Sequence, residues 1–227
     1  MNEYFSSNLI EKYSTRFQKY GATPKGSFWV SKTRQELRFE TILKEVAKIS
    51  RGAPIEIADI GCGYGALANY LSHRRDINLL SYEGYDISPK LINECKKRIK
   101  FGWARFQEGI RPRKTMPFSV MSGTYNLAVT KDVFAWESYI FECLEKCWNK
   151  TSKAMVFNLQ IADKAKVSDS NIYFAEKSKI IETCVTLFGP TSDNSCVTLF
   201  GPTRIIFDDN LPNDATFSVI NRNLVSS

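Results

Sequence analysis

The stretch IEIADIGCGYGAL, residues 55–67, decides the fold. An apolar run carries the acid Asp59 near its end, Gly61, Gly63 and Gly65 then alternate with Cys62 and Tyr64, and Ala66, Leu67 and Leu71 open a helical apolar face. That order reads as a strand, a tight turn and a helix start. Glycines let such a turn take positive φ and let a ligand approach the backbone, and the helix N-terminus behind them presents free N–H groups.

The pattern is D-x-G-x-G-x-G, which differs from the dinucleotide G-x-G-x-x-G that sets its glycines against a pyrophosphate. Asp59 would repel a pyrophosphate. It suits a ligand that brings an ammonium or sulfonium and no phosphate. Farther on, residues 77–85 read as a second strand ending in Asp86, and Ser88-Pro89 supplies a cap and a first-position proline for the next helix. A right-handed β-α-β crossover brings the carboxyl ends of both strands to one crevice, so Asp86 is placed to accept hydrogen bonds from two ribose hydroxyls. The plainer alternative is an acid that only ends a strand.

On these residues the chain resembles the class I S-adenosylmethionine (SAM)-dependent methyltransferases, over about residues 51–222. The flanking segments YSTRFQKYGATPKGSFWVSKTRQELRF and WESYIFECLEKCWNK, with MVFNLQIADK and IYFAEKSKIIETC beyond, resemble a group of bacterial small methyltransferases. The resemblance implies an α/β, Rossmann-like fold: a seven-stranded, mainly parallel sheet with an antiparallel last strand, helices on both faces and extra N-terminal helices. It implies SAM as cofactor, no metal, and methyl transfer to an oxygen or nitrogen of a small molecule such as a natural-product or sugar intermediate. The implied cofactor site comprises Asp59, Gly61, Cys62, Gly63, Gly65, Asp86, Ile87, Glu108 and Thr130, joined by Trp29 and Arg38 from ahead of the first strand. Glu108 takes the place of an acid that contacts the adenine amino group, although the family order resembles Gly-Asp and this chain has Glu-Gly. Tyr13 and Trp29 are the expected cover over the substrate.

The rest of the chain fits around that centre. Residues 8–20 carry Leu9, Ile10, Tyr13, Phe17 and Tyr20 at helical spacing with Gly21 as a stop, and Ser31 or Thr33 caps a second helix with a stripe of Leu37, Ile42, Leu43, Val46 and Ile49. Residues 1–50 are thus expected to form a helical cap or lid, and residues 51–227 the methyltransferase domain in one unit with it. The plainer alternative has the helical pair only packing on the sheet, with Trp29 packed and Arg38 solvated. Strands are expected over residues 104–107, 125–130 and 154–161, helices over 136–150 and 175–184, and a closing hairpin over 204–207 and 215–220. Lys131-Asp132 would then stand where the family has a small Ser-Gly pair after the fourth strand. CVTLFGPT occurs at residues 184–191 and again at 196–203, a local duplication too short for a repeat fold.

Composition excludes some classes. With 43% hydrophobic and 24% charged residues the chain has ordinary globular content. The formal charge of +7 gathers in residues 96–114, a stretch that can face RNA or form a solvated helix face and loop. No Asp/Asn-Pro-Pro motif follows the expected fourth strand and no Pro-Cys pair is present, which argues against enzymes that methylate nucleic-acid bases. Six cysteines without a C-x-x-C pair, and His73 alone, do not read as a zinc site. Asp132 and Asp163 are expected to be solvated rather than magnesium ligands. The polar N-terminus and the lack of a long apolar run imply a soluble, cytoplasmic protein.

Overall fold

The computed structural model describes residues 2–188 and 203–221. In chain order these form α1 (Asn2–Tyr20), a 3-10 turn (Pro24–Ser27), α2 (Lys32–Ser50), β1 (Ile55–Ile60), α3 (Ala66–Leu71), β2 (Leu79–Asp86), α4 (Pro89–Arg98), β3 (Ala104–Glu108), β4 (Met116–Met121), α5 (Val133–Trp148), β5 (Thr151–Ala162), β6 (Lys166–Val167), β7 (Tyr173–Glu176), α6 (Lys177–Phe188), β8 (Arg204–Ile206) and β9 (Asp214–Ile220).

Parallel pairing runs β3-β2-β1-β4-β5; β9 lies antiparallel along β5 and carries β8 antiparallel on its other edge. This is the expected seven-stranded sheet with its reversed strand. A hairpin of β6 and β7 is added at the end of β5, where Gln160, Ile161 and Ala162 pair in parallel with Phe174, Ala175 and Glu176. Alternating side chains divide the core into two layers. Ile57 and Val156 pack with Val46 of α2, Leu67 of α3 and Ile92 of α4, whereas Ile60 and Phe157 pack with Phe5 of α1, Trp136 of α5 and Ile180 of α6.

Local signals set most boundaries. Ser31 Oγ accepts from the Arg34 N–H at 3.2 Å and Ser88 Oγ from the Leu91 N–H at 3.5 Å, satisfying first-turn donors of α2 and α4. At the end of α1 the Gly21 N–H donates to Phe17 O at 2.7 Å. That helix begins at Asn2, earlier than its apolar spacing indicated, because Phe5 also packs edge-on against Trp136 and Tyr139.

The fourth strand is not residues 125–130. It is MPFSVM, Met116–Met121, buried between β1 and β5. Pro117 hides it, since proline argues against a central strand. Here the ladder slips between Met116 and Phe118, and a residue without an N–H is tolerated at such an irregularity. Residues 125–130 are a connecting wall: Leu127 bridges Ile172, Asn126 O accepts from the Tyr173 N–H at 2.8 Å, and the Ala128 N–H donates to Asn171 O at 2.8 Å. With β4 relocated, Ser122-Gly123 follows it directly, so the small pair is present. Lys131 and Asp132 have other tasks: Lys131 Nζ donates to the carbonyls of Ser168 and Asp169, and Asp132 caps α5 by accepting from the Ala135 N–H at 3.0 Å.

Residues 173–176 form β7, so the helix expected over 175–184 begins at Lys177 and runs to Phe188. The first copy of the duplicated segment starts inside α6; from residue 189 through 202 it lies outside the described residues. Among the described residues no helix is long and apolar enough to cross a membrane, and Cys62, Cys95, Cys143, Cys147 and Cys184 are buried free thiols.

Arg38 is buried, against the solvated alternative. Its Nη2 lies 2.6 and 2.8 Å from the Asp214 oxygens, and its guanidinium stacks 4.7 Å from the Trp29 ring centroid. The pair ties α2 to the start of β9. Removing one partner of a buried pair leaves an uncompensated charge, so Arg38→Ala is expected to destabilise the protein by about 3–5 kcal/mol in urea denaturation, and adding Asp214→Asn should recover part of the loss.

Candidate cofactor and acceptor cavity

The glycine turn is pinned on both sides. The Gly61 and Cys62 N–H groups donate to Tyr85 O at 2.7 and 3.0 Å, joining the turn to the end of β2. Gly61 has φ +75°, and a Cβ there would lie 2.5 Å from Thr124 Cγ2; at Gly65, φ +81°, it would lie 2.3 Å from Ile99 Cδ1. Both positions therefore demand glycine.

Two carboxylates flank the turn. Asp86 is buried, and its Oδ2 accepts from the Gly63 N–H at 2.9 Å while Oδ1 accepts from the Ser88 N–H at 2.8 Å. Burial pushes its carboxyl up to about 6, against the lowering effect of those two amides. Asp59, also buried, accepts from the Tyr82 hydroxyl at 2.5 Å. Burial pushes it up to about 7; the Tyr82 bond lowers it and the nearby Asp86 raises it further. Burial likewise raises the Cys62 thiol, and burial followed by the Asp86 charge raises the Tyr13 phenol.

These groups line a cavity of about 420 Å³, within the size range of small-molecule sites. Asp59, Gly61, Cys62, Gly63, Asp86 and Ile87 form one side. Tyr13, Phe28, Trp29 and Arg38, from ahead of β1, form another, and residues 122–127 after β4 a third. Tyr13 meets Phe28 edge-on at 5.2 Å, and Trp29 lies over Gly123, where a Cβ would approach its ring to 2.9 Å.

Three expected residues are absent from the lining. Gly65 instead caps α3 and packs on α4. Glu108 is exposed at the end of β3, and Gly109 and Ile110 face the cavity in its place. Thr130 Oγ1 accepts from the Asp132 N–H at 3.1 Å in the cap of α5; that expectation followed from the misplaced fourth strand. The sequence reading also missed Arg34, Gln35, Tyr64, Asn126 and Asp214, which line the cavity. Arg34, Gln35 and Arg38 share a face of α2 that breaks its apolar stripe, a signal that was legible; nothing near Asp214 in the sequence marks it.

His73 is exposed beyond α3, with Nδ1 2.8 Å from Asn69 O. The basic side chains of residues 96–114 do not line the cavity, and Asp132 and Asp163 are exposed. Among the described residues no group of three acidic, histidine or cysteine side chains is arranged to hold a metal.

No protein-family model matches the chain. A Mycobacterium tuberculosis protein whose name gives it methyltransferase activity provisionally is 27% identical over 139 residues, 60% of this chain and 82% of that protein. A Leishmania major SAM-dependent methyltransferase superposes with a TM-score of 0.68 at 10% identity, covering 92% of this chain and 82% of the other. The plantazolicin methyltransferase, solved with a desmethyl-plantazolicin analog and S-adenosylhomocysteine (SAH), superposes with a TM-score of 0.62 at 14% identity over 96% of each chain. The fold is that of the SAM-dependent methyltransferases, as the sequence resemblance implied.

A stability consequence follows from the buried acids. The Asp59 value near 7 lies above the ordinary 3.8, so the folded state holds this proton more tightly than the unfolded state. Its contribution is complete below about pH 4 and is lost as pH rises through 7. Asp59→Asn should therefore be more stable than the parent protein at pH 8 by up to about 4 kcal/mol, with the gap closing toward pH 4 in denaturation series. A gap independent of pH would show that Asp59 is ordinarily ionised.

Proposed function

We propose that the protein transfers a methyl group from SAM to a small-molecule acceptor, at an oxygen or nitrogen. The observation that carries this reading is the pair of buried carboxylates, Asp59 and Asp86, at the two sides of one glycine turn and lining one cavity. Two burdened acids without a cation favour a ligand that brings positive charge and hydroxyl donors and no phosphate. The residues present fit SAM in that respect.

Asp86 would hold the ribose hydroxyls, because its oxygens, oriented by the Gly63 and Ser88 amides, keep lone pairs for further donors. Asp59 would face the charged methionyl part. When bound, SAM supplies a methyl group already activated by its sulfonium, so the chain's part is alignment and the exclusion of water. Tyr13, Phe28 and Trp29 would serve the latter as a cover over the cavity, with α1 and α2 acting as a cap on the sheet. Nucleic acid is disfavoured as acceptor because the basic side chains of residues 96–114 do not line the cavity.

Differential scanning fluorimetry with SAM, SAH and NAD tests the cofactor. SAM or SAH well above Kd should raise Tm by mass action, whereas a response to NAD alone would point to an oxidoreductase. Incubation of metabolite extracts with SAM, followed by mass spectrometry for a gain of one methylene unit, tests transfer; cofactor binding with no such product in any extract would favour a protein that only binds.

Asp86→Ala should weaken SAM binding more than tenfold, about 1.5–3 kcal/mol for lost bonds to a charged group. In the parent protein SAM affinity should rise from pH 5 to pH 8, since the ligand prefers the ionised forms of Asp86 and Asp59, whose values lie near 6 and 7. Calorimetry showing a flat profile over that interval would remove both acids from the binding site.

A further inference from the structure

α2 and the start of β9 bring Arg34, Arg38 and Asp214 to one wall of the cavity. Asp214 is committed to Arg38, at 2.6 and 2.8 Å; Arg34 reaches it only at 3.7 Å, and the Arg34 side chain remains 43% exposed. One carboxylate among two guanidiniums leaves this wall net positive, opposite in sign to the side that carries Asp59 and Asp86.

Buried donors beside the wall lack acceptors among the described residues. They include Arg38 Nε, Asn126 Nδ2 and Ser122 Oγ, with Arg38 and Asn126 only 5% and 6% exposed. The Asn126 amide is oriented by its Oδ1, which accepts from the Gln160 N–H at 3.2 Å, so Nδ2 is left as a donor. Gln160 pairs with Asp214 across β5 and β9, which sets Asn126 next to the charged trio. Ser122 and Gly123 approach from the other direction: a Cβ at Gly123 would fall 3.3 Å from Arg38 Nη1. Fixed donors around a positive wall match a compact anion with several acceptor lone pairs.

We propose that Arg34, with Arg38 Nε and Asn126 Nδ2, recognises a carboxylate, and that the methyl acceptor is therefore a carboxylic acid. The proposal rests on the reading of this cavity as a SAM and acceptor site. A carboxylate reaches the site from two sources, the methionyl end of SAM and the acceptor. Arg34 is assigned to the acceptor because its half-exposed guanidinium stands at the rim, where the second ligand docks after the cofactor is seated.

The test uses the full-length protein saturated with SAH and, as probes, benzoate, succinate and indole-3-acetate beside their uncharged amides. At least one carboxylate should raise Tm above its amide in the parent protein. Arg34→Gln should weaken that carboxylate at least fivefold by calorimetry while SAH affinity stays within about threefold, and Arg34→Lys should restore part of the loss. The proposal is overturned if no carboxylate outperforms its amide or if the preference survives Arg34→Gln. It is also overturned if Arg34→Gln weakens SAH about tenfold but leaves decarboxylated SAH unchanged, which would give the arginine to the cofactor. Failure of the parent protein to bind SAH at all overturns the cofactor reading itself, an outcome distinct from those three.

Discussion

Two carboxylates buried at the ends of adjacent strands constrain everything else in this molecule. Asp59 and Asp86 flank the glycine turn, both buried, and the Asp86 charge adds to the burial that raises the Asp59 carboxyl. The chain answers with fixed donors: the Gly63 and Ser88 amides on Asp86, the Tyr82 hydroxyl on Asp59. Those donors come from the turn, from the cap of α4 and from β2, so the arrangement exists only when the β-α-β unit is complete. The turn in turn rests on Tyr85 O and on the absence of side chains at Gly61 and Gly65. Donors oppose the cost of burial only partly, which is why both acids titrate well above the usual carboxylate range.

The second constraint is long-range. Arg38 and Asp214 are 176 residues apart and meet as a buried ion pair under the Trp29 ring, which itself lies against Gly123. This contact joins the segment ahead of the sheet to the strand that closes it and places the loop after β4 between them. Buried ion pairs add little net stability and much positional specificity, and here the specificity falls on the cavity wall. Gln35 adds a second tie, accepting from the Tyr64 hydroxyl at 2.9 Å, so α2 is fixed to the glycine turn as well.

What the sequence made legible was local chemistry. The glycine spacing located β1 and its turn, Ser88-Pro89 located the start of α4, and the pair Ser31 and Thr33, of which Ser31 is the cap, located the start of α2, because each signal and its hydrogen-bonded partner lie within a few residues. Asp86 was legible for the same reason, as the last residue of a strand followed by a cap. Failures arose where the deciding partner is distant. The true fourth strand carries Pro117, which argues against a regular central ladder, and only pairing with β1 and β5 shows that this ladder slips there. Tyr125 to Thr130 alternates like a strand, yet its backbone is claimed by the β7 segment. Thr130, expected in the site through that error, lies off the cavity wall, and Glu108, the last residue of β3, is exposed while Gly109 and Ile110 line the cavity. Asp214 carries no local mark at all.

The cavity thus has walls of opposite sign, and under the proposed function this would couple its two ligands. Under that proposal protons and a cationic ligand would compete for Asp59 and Asp86, and seating the cation would displace the protons and compensate the ionised acids. An anion at Arg34 and Arg38 would then no longer meet the uncompensated field of the acids. Each ligand would therefore favour the other through electrostatics, and by linkage the coupling would be equal in both directions. A neutral cavity of the same shape would bind the two independently; under the proposed function it is the separation of charge between the β1–β2 side and the α2–β9 side that would link them.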